Sequence, residues 1–120
     1  MSASAPPARP LRIVVHGFNE RAYAMLSLLL AGPGWSDCRL VGHGEADLGL
    51  VDLDTPLPER TWKDYRNRHP AVPALVFSLR EQQRDNARHL KKPIDPVALR
   101  RAIDDFRRAL DSPARPATRL

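Results

Sequence analysis

The sequence predicts an α/β domain built on a doubly wound, parallel sheet of five strands. Five short segments are candidate strands, at 11–15, 39–42, 47–53, 74–79 and 89–92, and those at 11–15 and 47–53 are apolar enough to be buried. Segments with the apolar spacing of helices alternate with most of these runs. Parallel neighbours need crossover connections, and right-handed crossovers place helices on both faces of such a sheet.

Length and composition are those of a single domain with one core. The chain has 120 residues, of which 42% are hydrophobic and 28% charged, so a core can form without a metal or a disulfide. We expect a flexible lead at 1–10, a domain at 11–110 and a flexible tail or linker at 111–120. Cys38 is alone, which excludes an internal disulfide and favours a reduced, cytoplasmic compartment.

Neither a membrane protein nor a DNA-binding protein is expected. The longest apolar run, 26–31, is far shorter than the ~20 residues that cross a bilayer. Segment 1–10 lacks the apolar centre of a secretion signal. The net charge of +5 comes partly from arginines near the two ends of the chain, and no helix-turn-helix pattern supports direct DNA binding.

Three helices have recognisable start signals or apolar faces. Asn19 is a good N-cap for the first, and Trp62 and Tyr65 fall on one side of the second. Asp95 caps the third, and Pro96 occupies its first position. The third helix has an apolar stripe made of Leu99, Ile103, Phe106 and Leu110.

Residues with related chemistry follow three of the predicted strands. Asp52 lies at the end of the third run, Ser78 at the end of the fourth and Lys92 at the end of the fifth. In a doubly wound sheet the carboxyl ends of the strands converge on one site. The segments LRIVVHGFNE, ADLGLVDLDTP, PALVFSL and HLKKPIDPVALRRAI together resemble the receiver domain of bacterial response regulators, over about 11–110.

The resemblance implies a flavodoxin-like receiver architecture with strand order 2-1-3-4-5. Carried over residue by residue, Asp52 corresponds to the phosphoacceptor, Ser78 to the switch hydroxyl and Lys92 to the lysine that contacts the phosphoryl group. His89 stands where the family usually has the switch aromatic residue. Two simpler alternatives stay open: Ser78 bonds nearby backbone, and Lys92 forms a plain salt bridge with Asp52.

The end of the first strand departs from the receiver pattern. Receivers have two acidic residues there that hold magnesium, whereas this sequence has His16 and Gly17. Because Mg²⁺ prefers oxygen ligands, Asp52 and the Asp54 carbonyl alone are expected to lose it, together with the electrostatic support for phosphoryl transfer. The sequence thus predicts a non-catalytic pseudo-receiver without cofactor. His16 either pairs with Asp52 as a substitute cation or simply ends a strand.

The helices of the second and fourth connections are expected to be reduced. Only 43–46 separates the second strand from the third, so the second helix is missing or short, and 78–92 leaves room for a short fourth helix at most. A partly bare sheet face would favour a homodimer. The alternative is that Trp35, Leu40 or the loop itself folds over the gap.

An arginine-rich segment is the candidate binding surface. On a helix, Arg80, Arg84 and Arg88 would align on one side, and Lys91 follows them. Guanidinium groups suit phosphates, carboxylates or an acidic partner, although a solvated charged face is the simpler interpretation.

The favoured function is a regulatory protein–protein interaction module in bacterial signal transduction, independent of phosphorylation. One alternative is a receiver-like domain that binds a cyclic dinucleotide or another phosphate-bearing ligand through the arginine-rich segment. A second is a receiver weakly phosphorylated on Asp52. A nucleotide-binding glycine loop is missing after the first strand, and the four histidines lack the spacing of metal ligands.

Overall fold

Five parallel strands form one sheet in the order β2-β1-β3-β4-β5 in the computed structural model, which describes residues 9–111. The predicted fold class and strand order are confirmed, whereas the segments predicted as flexible, 1–10 and 111–120, lie almost entirely outside the described residues. The elements in chain order are β1 (Leu11–His16), α1 (Glu20–Leu30), β2 (Cys38–Leu40), β3 (Leu48–Asp52), α2 (Pro58–Arg68), β4 (Ala74–Ser78), β5 (Ala87–Lys91) and α3 (Pro96–Asp111).

The first and last helices begin where the sequence predicts. The Asn19 side chain accepts a hydrogen bond from the Ala22 amide at 2.8 Å. The Asp95 carboxylate accepts one from the Val97 amide at 3.0 Å. Each contact satisfies a backbone donor that has no partner inside its helix, so each helix start is fixed by its cap.

One face of the sheet is covered by α1 and α3. Leu26 of α1 and Leu99 and Ile103 of α3 are fully buried against alternate residues of the strands, such as Ile13 and Leu50. These side chains form the larger core cluster, which also includes Trp35 and Phe77. Strand alternation explains why one set of apolar residues faces these helices and the intervening set faces away.

Loops replace helices in two connections of the described chain. Segment 41–47 joins β2 to β3 without a helix, as predicted, and 79–86 joins β4 to β5. The predicted reduction of the fourth helix is confirmed and goes further than expected, because no helix forms between β4 and β5. Between Leu79 and Ala87 there is no apolar side chain that a helix could bury against the sheet, and Asn86 adopts a left-handed φ of 58° in the turn before β5.

The second sheet face is nevertheless closed. Val14, Val51 and Val76 are each no more than 1% exposed, although α2 is the one helix on that side of the described structure. Val41 and Ala46 of the 41–47 loop pack against this cluster. The prediction of a partly bare face is therefore wrong, because the loop itself fills the gap. The homodimer stays a prediction, but no exposed apolar sheet face supports it.

Tyr65 is the centre of the second core cluster. Its side chain is fully buried, and its hydroxyl donates to the backbone carbonyls of Val72 at 3.0 Å and Pro73 at 3.3 Å. The ring lies over Gly49 of β3, where a Cβ atom would come within 2.6 Å of the Tyr65 Cζ. Gly49 is thus required by a large neighbour, since no other residue leaves room for the ring.

None of the helices in the described residues is long and apolar enough to span a membrane.

Candidate functional site

The site is organised around a buried ion pair at the carboxyl end of β3. Asp52 is only 6% exposed. Lys92, directly after β5, places its Nζ 2.7 Å from Asp52 Oδ2. The backbone N–H of Asp54 donates to the other carboxylate oxygen, Oδ1, at 2.9 Å. Both oxygens of Asp52 are therefore engaged within the protein, as in the plain salt bridge that the sequence left open.

Asp54 binds the next loop. Its Oδ2 accepts a hydrogen bond from the Leu79 amide at 2.9 Å and lies 3.6 Å from Lys92 Nζ. Lys92 therefore faces two carboxylates, those of Asp52 and Asp54. The Asp54 carboxylate also binds the backbone just after β4, at Leu79. The arrangement fixes the β3, β4 and β5 ends with respect to one another.

Gly17 closes the site on the β1 side. It has a φ of +85°, and a Cβ atom there would lie 2.6 Å from the Asp52 carbonyl oxygen and 3.0 Å from Thr61 Cγ2. The receiver pattern has an acidic residue at this position. Here such a residue would be strained by the left-handed backbone, and its Cβ would overlap the carbonyl oxygen of Asp52. The present backbone therefore admits only glycine.

Replacing Gly17 by alanine is expected to lower the free energy of unfolding by about 3 kcal/mol, from left-handed strain plus overlap with fixed backbone. Gly34 is the matched control, because its φ is +88° with no heavy atom within 4 Å of the added Cβ. Gly34→Ala should cost only about 1 kcal/mol. Urea denaturation of both variants measures the difference, and equal losses would show that the contact with Asp52 is unimportant.

His16 does not pair with Asp52. Its Nε2 lies 3.3 Å from the Asp64 carboxylate of α2, so the alternative of a substitute cation is wrong and His16 ends the strand. Strand alternation gives the reason: His16 shares its side of β1 with Val14, toward α2. The imidazole is also in edge contact with His43, at a ring-centroid distance of 5.6 Å.

The sequence did not predict the cluster of histidines that lies on the α2 side of the sheet. His43 Nδ1 and His69 Nε2 are 3.1 Å apart, and their rings stack at 5.3 Å. His69 in turn lies against Tyr65, with ring centroids 5.2 Å apart. His16 and His43 follow adjacent parallel strands, which is a signal that the sequence contains. The position of His69, after α2, depends on how that helix packs.

Two members of the cluster have lowered pKa values. Burial lowers the pKa of His16 despite the Asp64 carboxylate, and burial together with the neighbouring His43 and His16 lowers that of His69. Because the folded chain takes up these protons less readily, the unfolded chain binds more of them below the ordinary histidine pKa of about 6.5. The stabilisation is complete above that pH and is lost as the pH falls through the lowered values.

The free energy of unfolding should therefore decrease between pH 7.5 and pH 5.5, a window in which ordinary carboxylates stay ionised. Chemical denaturation at several pH values in that range measures the slope. The double variant His16→Gln/His69→Gln is expected to show a shallower slope than the wild type. A stability that is flat or that rises toward acid in the wild type would contradict the assignment.

Ser78 and His89 contact each other rather than the ion pair. Ser78 is fully buried, and its hydroxyl donates to the Arg80 carbonyl and lies 3.1 Å from His89 Nε2. The sequence alternative of a strand-end hydroxyl bonded to nearby backbone matches this geometry. Whether Ser78 and His89 act as a switch stays a prediction.

The arginines do not form a row. Arg84 Nη2 pairs with Glu59 of α2 at 2.6 Å, whereas Arg88 Nη1 pairs with Asp105 of α3 at 3.0 Å, on the opposite sheet face. The predicted alignment fails because no helix forms here and Arg88 belongs to β5. Arg80 and Lys91 are exposed. Ligand binding by this set stays a prediction that the geometry does not favour.

The residues at the site do not fit magnesium. The two carboxylates, Asp52 and Asp54, share Lys92, and His16 and Gly17 offer no side-chain oxygen from β1. Among residues 9–111, no three His, Cys, Asp or Glu side chains are arranged to hold a metal ion. For Mg²⁺ to bind Asp52 and Asp54 in its octahedral geometry, the Lys92 ammonium group would have to move away from both carboxylates.

A cleft of about 720 Å³ opens beside this site, between the β1–α1 turn and α2. His16 and Gly17 form one wall, and Arg60, Lys63 and Asp64 of α2 lie on the other. Its carboxylate, Asp64, is shared by His16 and Arg68, at 3.3 Å and 3.4 Å. On its β1 side the cleft thus offers an imidazole and a glycine where the receiver pattern has acids.

Structural comparison identifies the fold. A signal receiver domain of an HD-domain-containing protein from Pseudomonas fluorescens superposes with a TM-score of 0.63 at 16% identity, covering 91% of this chain and 98% of that one. The chain has the fold of a response-regulator receiver domain. No protein-family model and no curated protein matches it.

Two further solved structures superpose on the chain. A two-component transcriptional regulator AraC from Clostridium phytofermentans has a TM-score of 0.57 at 14% identity, with 80% of this chain and 90% of that one covered. A pilus assembly-related protein from Burkholderia pseudomallei has a TM-score of 0.60 at 17% identity, with 80% and 88% covered. All three share their fold with this chain at low sequence identity.

Proposed function

We propose that the chain is a pseudo-receiver: a non-catalytic domain that regulates a bacterial signalling pathway by binding a protein partner, independently of phosphorylation. The receiver fold of the structural neighbours supports the signalling role. The observation that carries the rest is the state of Asp52, whose two carboxylate oxygens are engaged by Lys92 and by the Asp54 amide.

The chemistry of phosphoryl transfer explains why this arrangement opposes it. A carboxylate that accepts a phosphoryl group needs a free oxygen and a cation that neutralises the charge developing on the transferred group. Here the oxygen nearest Lys92 is in a 2.7 Å ion pair, and the β1 edge that would supply acidic metal ligands consists of His16 and Gly17. Restoring an acid at Gly17 requires the backbone to move.

A protein partner is favoured over a phosphate-bearing ligand. The arginines suggested for a cyclic dinucleotide are divided between two faces, and Arg84 and Arg88 are paired with Glu59 and Asp105. A ligand that used Arg84 and Arg88 together would have to reach both faces and compete with those two carboxylates.

A magnesium titration tests the proposal. Two-dimensional ¹H–¹⁵N spectra are recorded with and without Mg²⁺, and then with Mg²⁺ plus trifluoroberyllate, an isostere of the phosphoryl group. The amides of Gly17, Leu53 and Asp54 should not shift beyond the change produced by the same concentration of NaCl. Saturable, Mg²⁺-dependent shifts confined to these residues would contradict the proposal and would favour a working phosphoacceptor.

A further inference from the structure

The 41–47 loop, which takes the place of the second helix, is fixed at its two ends. The Val41 amide donates to the Ile13 carbonyl at 2.8 Å, and the Asp47 amide donates to the Arg12 carbonyl at 2.8 Å. Both contacts are to β1. The centre of the loop has no such backbone anchor to the sheet and is held by side chains.

His43 attaches the centre of the loop to the end of α2. Its Nδ1 faces the Nε2 of His69 at 3.1 Å, a distance at which one nitrogen must carry a proton and the other must not. The bond exists when both rings are neutral and when one is an imidazolium. With two imidazolium rings, both facing nitrogens carry protons and the bond is lost.

The surroundings oppose a second positive charge. His69 is 3% exposed, and the Arg66 guanidinium donates to its backbone carbonyl at 3.0 Å. The Asp64 carboxylate is engaged by His16 and Arg68. The titratable and charged groups around the pair are Arg12 and His16 of β1, Glu45 and Asp47 of the loop, and Asp64, Tyr65, Arg66 and Arg68 of α2.

We propose that the centre of the 41–47 loop is released by acid: protonation of both His43 and His69 breaks the contact between their rings and separates the loop centre from α2. The Val14 cluster stays covered, because Val41 and Ala46, which pack against it, lie at or beside the two anchored ends of the loop. Opening is limited to the part of the loop before Glu45, because the Arg12 guanidinium holds Glu45 at 2.7 Å and Asp47 at 3.2 Å. The inference does not depend on the proposed function.

A pH titration of the full chain in EDTA tests this inference. At pH 7.5, nuclear Overhauser contacts between the His43 and His69 rings should be present and the Gly44 amide should be as rigid as the sheet. Below the midpoint, the ring contacts should disappear and Gly44 should become mobile. The ratio of open to closed forms should rise about tenfold per pH unit where the closed pair already carries one proton, and up to about a hundredfold where it carries none. Unchanged ring contacts and loop mobility down to pH 5 would overturn the proposal.

Variants at His43 distinguish this mechanism from general acid destabilisation. Asparagine places an amide near the position of Nδ1 and can accept a hydrogen bond from a protonated His69, so His43→Asn should keep the loop closed in acid. His43→Ala should leave it open at all pH values. His89→Gln, which alters a histidine bonded to Ser78 outside the cluster, should respond like the wild type. If His43→Asn opens at the wild-type midpoint, the proposal is wrong.

Discussion

Lys92→Met is expected to lower the free energy of unfolding by about 3 kcal/mol, because it leaves the Asp52 charge buried without its cation. The side chain of Asp52 is 9% exposed and that of Lys92 is 24% exposed, so water compensates for the loss only in part. The methionine keeps the length of the aliphatic stem, which separates the loss of charge from the loss of packing.

A double variant identifies the source of that loss. In Lys92→Met/Asp52→Asn no unpaired charge remains, so the double variant should be more stable than Lys92→Met alone. Lys91→Met is the matched control: this neighbouring lysine is exposed, and its replacement should change stability by less than about 0.5 kcal/mol. If Lys92→Met behaves like Lys91→Met, the ion pair is not a stabilising feature of the site.

Gly49→Ala is expected to cost about 3 kcal/mol or to prevent folding, since it forces the Tyr65 ring out of its place. The added Cβ would lie 2.5 Å from Tyr65 Cε1, and Tyr65 cannot retreat without breaking the hydrogen bonds from its hydroxyl to Val72 and Pro73. Because Tyr65 also contacts His16 and His69, the histidine cluster should be disturbed as well.

Thermal and urea denaturation of Gly49→Ala measure this loss. Gly42→Ala is the control, since nothing lies within 4 Å of the added atom. Tyr65→Leu removes the overlapping atoms, so Gly49→Ala should cost less in that background than in the wild type. Additive losses would show that the ring and the glycine are not coupled.

The parts of the fold that depend on local pattern could be predicted from the sequence. Apolar runs located the five strands within a few residues, and the caps Asn19 and Asp95 located two helix starts. The absence of a second helix followed from the short distance between strands. The alignment of Arg80, Arg84 and Arg88 on a helix was predicted wrongly because arginines at helical spacing carry no information about burial. That segment has no apolar face that a helix could bury.

The sequence predicted which residues lie at the carboxyl ends of the strands, but it did not predict all of their contacts. Asp52 and Lys92 do meet, because both follow strands of one parallel sheet. The sequence did not predict on which side of the sheet His16 lies. Strand alternation could have predicted it, because His16 is two residues after Val14 and therefore shares its side. The pairing of His43 with His69 and the fit of Tyr65 over Gly49 involve residues 26 and 16 positions apart and depend on helix packing, which no local pattern specifies.

Reaction with a small phosphodonor tests the central claim most directly. The wild type and Asp52→Asn are incubated with acetyl phosphate and Mg²⁺, and their intact masses are compared by mass spectrometry at neutral pH. With Asp52 held by Lys92 and no acidic partner from β1, the two proteins should both remain unmodified. A phosphoryl adduct that forms on the wild type and is absent from Asp52→Asn would contradict the account.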